Sequence, residues 1–110
     1  MTEINVNKIW FDHIKTGDKT IEGRLNKGKF KTFKKDEIIY FKNDQNKIKI
    51  KIINIIEYKD FKTYLEQEGL KRTLPGIDSI KNGVKVYRNF YTKEMEDEFG
   101  VLAIEIKLIP

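Results

Sequence analysis

The chain has 110 residues, 35% of them charged, with 22 Lys and Arg against 17 Asp and Glu for a net charge of +5. That length suits one domain with its own core and is too short for two, so residues 1–110 are expected to form a single unit. With no cysteine and His13 as the only histidine, disulfides and thiolate zinc sites are excluded and no metal or other cofactor is expected. No run of about 18 apolar residues could span a bilayer, and Met1–Asn7 lacks a basic-then-apolar signal pattern, so a cytoplasmic chain with no membrane partner is expected.

The charge is unevenly spread. Residues 1–56 carry 13 Lys and Arg against 7 Asp and Glu, whereas residues 57–110 carry 9 against 10. A positive N-terminal half suits a polyanion such as nucleic acid or a nucleotide. A composition generally rich in Lys and Ile accounts for the same numbers.

Taken in order, Lys8–Thr16 reads as a short amphipathic helix with Ile9, Trp10 and Ile14 turned toward a core and Gly17 as its stop. His13 lies beside that stripe with no second histidine to complete a ligand set. Gly17-Asp18 turns the chain into Thr20–Leu25, whose period-2 alternation marks a half-buried strand. Thr20, Glu22 and Arg24 then share one face and Ile21 and Leu25 the other, with Gly23 leaving room for close approach. An ammonium (Lys19), a hydroxyl, a carboxylate and a guanidinium thus fall within one strand length.

Half of Asn26–Lys35 is lysine, with Phe30 and Phe33 interleaved. Such a segment can contact phosphates and offer rings to bases, or it is a solvated loop whose phenylalanines dip into the core. A strand follows over Glu37–Lys42, then a polar turn, Asn43–Asn46, then a long strand over Lys47–Tyr58. In the long strand Ile48, Ile50 and Ile52 occupy one parity and Ile53 and Ile55 the other. A bulge near Ile52-Ile53, where a curled sheet turns a corner, resolves that flip.

Asp60 is placed to cap a helix through Glu68, with Phe61, Tyr64 and Leu65 inward and Gly69 at its end. Leu70–Pro75 reads as a connector and Asp78 as the start of a longer helix carrying Ile80, Val84, Tyr87 and Tyr91 on one stripe. Thr92 with Glu94 and Glu96 marks a fresh helix start ending at Gly100. Val101–Ile109 closes the chain as a strand in which Leu102, Ile104, Ile106 and Leu108 alternate with Ala103, Glu105 and Lys107.

Helix, Gly17-x-Lys19-Thr20-x-Glu22-x-Arg24, Lys-rich loop, curled strands, helical insert and closing strand together resemble the ASCH domain family of the PUA-like superfamily, in its short stand-alone form. The likeness runs over Ile14–Leu25, Tyr58-Lys-Asp-Phe61, Leu65–Leu70, Leu74-Pro-Gly76, Val86–Tyr91 and Phe99–Ile106. It implies an α+β fold, a small mixed β-barrel with helices packed at its rim, a cleft at the motif, and RNA or a nucleoside or nucleotide as ligand. Some bacterial relatives of similar length hydrolyse the acetyl amide of N4-acetylcytidine with a lysine, a threonine and a glutamate. Lys19 matches that lysine and Glu68 that glutamate, while the threonine position falls on Glu22.

Two functions are therefore set against each other. As a hydrolase of modified nucleosides or of RNA, the chain would use Lys19, Glu22 and Glu68, a glutamate activating water while Lys19 or Arg24 stabilises the oxyanion. As a binding module, Lys19 and Arg24 would engage phosphate or a base edge and Glu22 would accept from an exocyclic amine. Thr20, Tyr87, Arg88 and Tyr91 would complete the cleft, and Lys27, Lys29, Lys31, Lys34 and Lys35 its basic rim. Arg88, beside an apolar stripe, needs a carboxylate or an exit to water, and Glu22 is a candidate mate. A Lys19-Glu22-Arg24 ion-pair network closing the barrel mouth is the purely structural alternative. A third role, association through an exposed edge of the long isoleucine strand, has no positive support.

Overall fold

The computed structural model describes residues 2–110. β1 (Glu3–Asn5), α1 (Lys8–Thr16) and β2 (Ile21–Leu25) lead through a 3-10 turn at Gly28–Thr32 into the hairpin of β3 (Ile38–Asn43) and β4 (Asn46–Tyr58). α2 (Phe61–Glu68), α3 (Leu70–Thr73), α4 (Ile80–Arg88) and α5 (Lys93–Phe99) follow before the closing strand β5 (Val101–Leu108). The strands form one five-stranded sheet in the order β1-β3-β4-β5-β2. Only β1 and β3 run parallel. The sheet curls into a half-barrel whose open side lies between β1 and β2, the α+β architecture expected.

β4 is long because it has two successive partners. Asn46–Lys51 pairs with β3 and Ile50–Tyr58 with β5, and the second register shifts between Ile52 and Asn54. The bulge sits where the isoleucines change parity, so Ile50 and Ile52 before it and Ile55 after it reach the same core. A one-residue slip reverses every side chain, and here it keeps the apolar face inward as the sheet turns.

At β2 and β5 the sheet is covered on both faces. One core gathers Ile4, Phe11, Ile14, Phe33, Phe41 and Ile52 with Leu102, Ile104 and Ile106. On the other face Val101 and Ala103 join Ile21, Leu25, Phe61, Tyr64 and Leu65 under α2 and α4. The alternation in β5 thus serves two cores. The caps are local chemistry. Gly17 ends α1 at φ 88°, and Asp60, Ser79 and Thr92 each accept from a backbone N–H of the first turn of α2, α4 and α5.

Several expectations are corrected. Phe11 rather than Ile9 turns inward with Ile14 on α1, and Ile9 is 57% exposed. Leu70–Thr73 is a helical turn and not a plain connector. The helix expected from Asp78 is capped by Ser79 and ends at Arg88, which leaves Tyr91 beyond it. The Lys-rich segment tightens into a 3-10 turn that buries Phe33 and packs Phe30 edge-to-face against it at 5.4 Å, with Lys27, Lys29, Lys31, Lys34 and Lys35 outside.

Gly23 sits under the Tyr64 ring, and a Cβ there would lie 2.6 Å from the Tyr64 hydroxyl oxygen and 2.7 Å from Cζ. Tyr64 is fully buried and has no free path of retreat. Gly23→Ala is expected to destabilise the fold by about 1–3 kcal/mol through overpacking, read as a lower urea midpoint. An unchanged midpoint would show that the Tyr64 ring yields without cost.

Candidate functional site: a buried ion triad at the mouth of the half-barrel

The site begins with the turn after α1. Lys19 N–H donates to the His13 carbonyl at 3.0 Å, and the chain folds back over the helix end. Thr20 N–H donates to the Arg72 carbonyl at 3.0 Å, which docks α3 on the motif. The Lys19 side chain, 2% exposed, is driven into the gap between these elements. Its ammonium donates to the carbonyls of Ile21, at 2.6 Å, and Thr73, and lies 3.4 Å from Glu22 Oε1. Thr73 is the last residue of α3, so the cation also sits where orphan carbonyls concentrate negative potential. All three ammonium protons have acceptors.

Glu22 and Arg24 lie opposite Ile104 and Leu102 of β5, and therefore on the face that looks into the half-barrel. Glu22 Oε2 accepts from Arg24 Nε at 2.8 Å. Arg24 Nη2 reaches across the open side of the sheet to the carbonyl of Asn5, at 2.8 Å, and its guanidinium lies 5.2 Å from the Phe30 ring centre. β1 and β2 share no backbone pairing, so this side chain bridges the two edges. The Lys19-Glu22-Arg24 ion-pair network, set out above as the purely structural alternative, is present.

Burial acts most strongly on each member of the triad. It pulls Lys19 below the ordinary lysine value, against the opposing charge of Glu22. It pushes Glu22 up, but the charges of Arg24 and Lys19 outweigh it and hold the carboxyl below its usual range. Burial would lower Arg24, and Glu22 instead raises it. Beside the triad, burial raises Tyr87 and Tyr64, whose hydroxyls are 3.0 Å apart, so both stay neutral.

The triad lines a partly enclosed cleft of about 180 Å³ whose other walls include Trp10, Tyr87, Phe90 and Tyr91, with Asn5 and Asn7 at its edge. Two cations and one carboxylate give it a net positive charge. Glu22 keeps lone pairs, and Arg24 keeps N–H donors, beyond those used within the triad. The Lys19 ammonium lies 5.8 Å from the Trp10 ring centre.

The structure brings Lys19, Glu22, Arg24, Tyr87 and Tyr91 together and leaves other candidates elsewhere. Glu68 stands outside the cleft, accepting from the Tyr58 hydroxyl and pairing with Arg72 at 3.1 Å. Its carboxylate is one reason the Tyr58 hydroxyl, first through burial, is pushed up to about 12. Arg88 pairs with Glu96 at 2.9 Å rather than with Glu22, and Glu96 also accepts from the Phe61 backbone at 2.8 Å. Thr20 is not among the cleft walls. Of the basic rim, Lys27 lies 4.9 Å from the Phe99 ring and Lys29 donates to the Glu3 carbonyl at 3.0 Å. Among the described residues no cluster of His, Cys, Asp and Glu is arranged to hold a metal ion, and no helix is long and apolar enough to cross a membrane.

Sequence reasoning did not place Asn5, Asn7, Trp10 and Phe90 in the cleft. Trp10 reads as core by its spacing, and β1 is too short to show a period. No local signal pointed to Asn5 or Phe90.

A family profile for the ASCH domain matches residues 4–110. The chain belongs to the ASCH domain family. The crystal structure of hypothetical protein PH0355 is 44% identical, with 97% of each chain covered and a TM-score of 0.91. The solution structure of protein PF0455 from Pyrococcus furiosus is 38% identical, covering 98% of this chain and 96% of that one, with a TM-score of 0.82. No curated protein matches the chain. The ASCH membership and the α+β, barrel-like fold expected from the motif blocks are thus borne out, with the barrel open between β1 and β2.

The triad also sets a pH dependence. Glu22 titrates lower folded than unfolded, so its stabilisation is present above the unfolded range near pH ~4.3 and is lost as pH falls through the folded value. Glu22→Gln is expected to cost about 3–5 kcal/mol at pH 7, because it leaves two buried cations without their anion. The gap between variant and parent should narrow as the pH drops toward 3. Urea unfolding of both proteins from pH 3 to 7 measures this, and a gap independent of pH would remove the triad from the acid-sensitive part of stability.

Proposed function

We propose that this ASCH domain binds RNA or a nucleoside by seating one base in the cleft. The observation that carries the reading is the convergence of an anion flanked by two cations with aromatic walls in one concave space. A cavity of roughly 150 Å³ takes a benzene ring, so about 180 Å³ suits one heterocycle and not a whole nucleotide. Glu22 would accept from an N–H of the base edge, as carboxylates do from exocyclic amines, and Arg24 would donate to a neighbouring ring acceptor or to phosphate. Tyr87 and Tyr91 offer ring surface. Lys27, Lys29, Lys31, Lys34 and Lys35 would add a sequence-independent attraction for the phosphate backbone.

Binding is favoured over hydrolysis by three features. A general base needs a free lone pair, whereas the Lys19 ammonium is held by three acceptors. Glu68 is engaged outside the cleft. Glu22, at the threonine position of the hydrolytic relatives, is held as a carboxylate by its cations and lacks the base-activated hydroxyl used for amide attack.

Trp10, the only tryptophan, lines the cleft and reports its occupancy. Titration with nucleosides and short oligoribonucleotides should change its fluorescence. Tyr91→Ala is expected to weaken binding about tenfold, within the ~1–3 kcal/mol that one base stacked on an aromatic ring contributes, and Arg24→Lys should weaken it as well. Affinity untouched by both changes would move the ligand out of the cleft. Incubation with N4-acetylcytidine should leave that nucleoside intact, and its conversion to cytidine would restore the hydrolase reading. Replacing Lys31, Lys34 and Lys35 with Gln should flatten the salt dependence of oligonucleotide binding by about 0.7 for each phosphate no longer neutralised.

A further inference from the structure

Beyond the cleft lies a second, more open hollow of about 490 Å³ between α1 and the end of α4. It shares Asn7, Trp10, Val86 and Phe90 with the cleft, so the two adjoin and Phe90 borders both. Of the described residues, the large hydrophobics that stand exposed are Ile9 at 57%, Phe90 at 53% and Ile56 at 41%. Two of these three border this one hollow, together with half-buried Ile77. Neither Ile9 nor Phe90 is needed inside: α1 packs through Phe11 and Ile14, and α4 through Tyr87.

The chemistry of the walls separates this hollow from others on the molecule. It contains no carboxylate, only the amides of Asn7 and Asn89 and the His13 ring among polar side chains. The hollow beside α2 mixes Asp60, Glu66 and Glu96 with five lysine and arginine side chains, and that near α5 sets Glu57, Asp97 and Glu98 against Lys59 alone. In the adjoining cleft the single carboxylate is neutralised by two cations. The wall residues of the cleft and this hollow thus leave no unpaired carboxylate, and the flanking acids Asp18 and Asp78 contact the His13 ring and the Asn82 amide. Exposed ring surface beside walls without an unpaired carboxylate is what a second base requires, because stacking needs a π-face and tolerates any base.

We infer that the hollow bounded by Ile9, Phe90 and Ile77 is a second base subsite, where the nucleotide adjacent to the one in the cleft stacks on Phe90. The inference rests on the proposed reading of the cleft and sharpens it: the ligand is a single-stranded polynucleotide and not a free nucleoside. Phe90 borders both positions, so the strand crosses it with its phosphate on the solvent side.

The test compares three probes by Trp10 fluorescence: a nucleoside monophosphate, a ribodinucleotide, and the same dinucleotide with its second base removed. The intact dinucleotide is expected to bind about tenfold more tightly than the abasic analogue, and Phe90→Ala should bring that ratio close to one. Ile9→Ser, outside the cleft, should weaken the dinucleotide and leave the monophosphate unchanged. A ratio of one in the unmodified protein, or a tenfold ratio that persists in Phe90→Ala, overturns the subsite while leaving the cleft reading in place. Failure of every probe to bind overturns the cleft reading, and this inference with it. Sedimentation showing a dimer that Ile9→Ser abolishes would assign the hollow to a second copy of the chain and likewise overturn the subsite.

Discussion

Three charges buried against one another hold this molecule together at its weakest seam. A five-stranded sheet that curls without closing leaves β1 and β2 with no shared backbone bonds, and polar edges facing a gap are costly unless something satisfies them. Here Glu22 orients Arg24, and Arg24 reaches the Asn5 carbonyl on the far edge. On its other side Glu22 faces the ammonium that secures the end of α3. Removing water from such charges costs several kcal/mol per ion unless each finds good partners. The saturated donors of Lys19 and the doubly engaged carboxylate of Glu22 meet that condition.

The same arrangement decides what the cleft can do. Chemistry demands a group free to give or take a proton, and recognition demands fixed donors and acceptors that do not need to reorganise. Lys19 and Glu22 are fixed by contacts to backbone and to each other, which suits the second demand. Their rigidity comes from motif residues within one strand and the turn before it, so the cleft walls are built by the elements that flank the open seam. The pairing of Arg88 with Glu96 works separately, anchoring α5 to the start of α2 through the Phe61 N–H.

Much of this is legible in the sequence because it is local. The caps at Asp60 and Thr92, the turn at Gly17 and the parity change of the β4 isoleucines all depend on residues a few positions apart. The motif strand is legible for the same reason, and the pairing of Glu22 with Arg24 follows from its period, whereas Lys19 joins them from the preceding turn and Thr20, of the same parity, does not line the cleft. What escapes depends on how the elements pack. The need of Arg88 for a carboxylate offers Glu22 as a mate, whereas Glu96 in the following helix is the partner. Glu68 belongs to the cleft by its place in a shared block, yet Tyr58 and Arg72 hold it on another side of the molecule. Ile9 and Phe11 are equally apolar, and only the direction of α1 against the half-barrel decides which is buried.

The single side-chain bridge across the seam has a consequence for how such a pocket changes over time. In a closed barrel the backbone ladder sets the strand spacing, and the width of the interior follows from strand number and stagger. At this mouth the span between the edges is set by the reach of one guanidinium. Exchanging the residues at the positions of Glu22 and Arg24 therefore acts on that span without removing a ladder bond, but at the cost in stability of breaking a buried charge network. The width of the mouth and the strength of the seam are thus set by the same two positions, so a change in one is carried into the other.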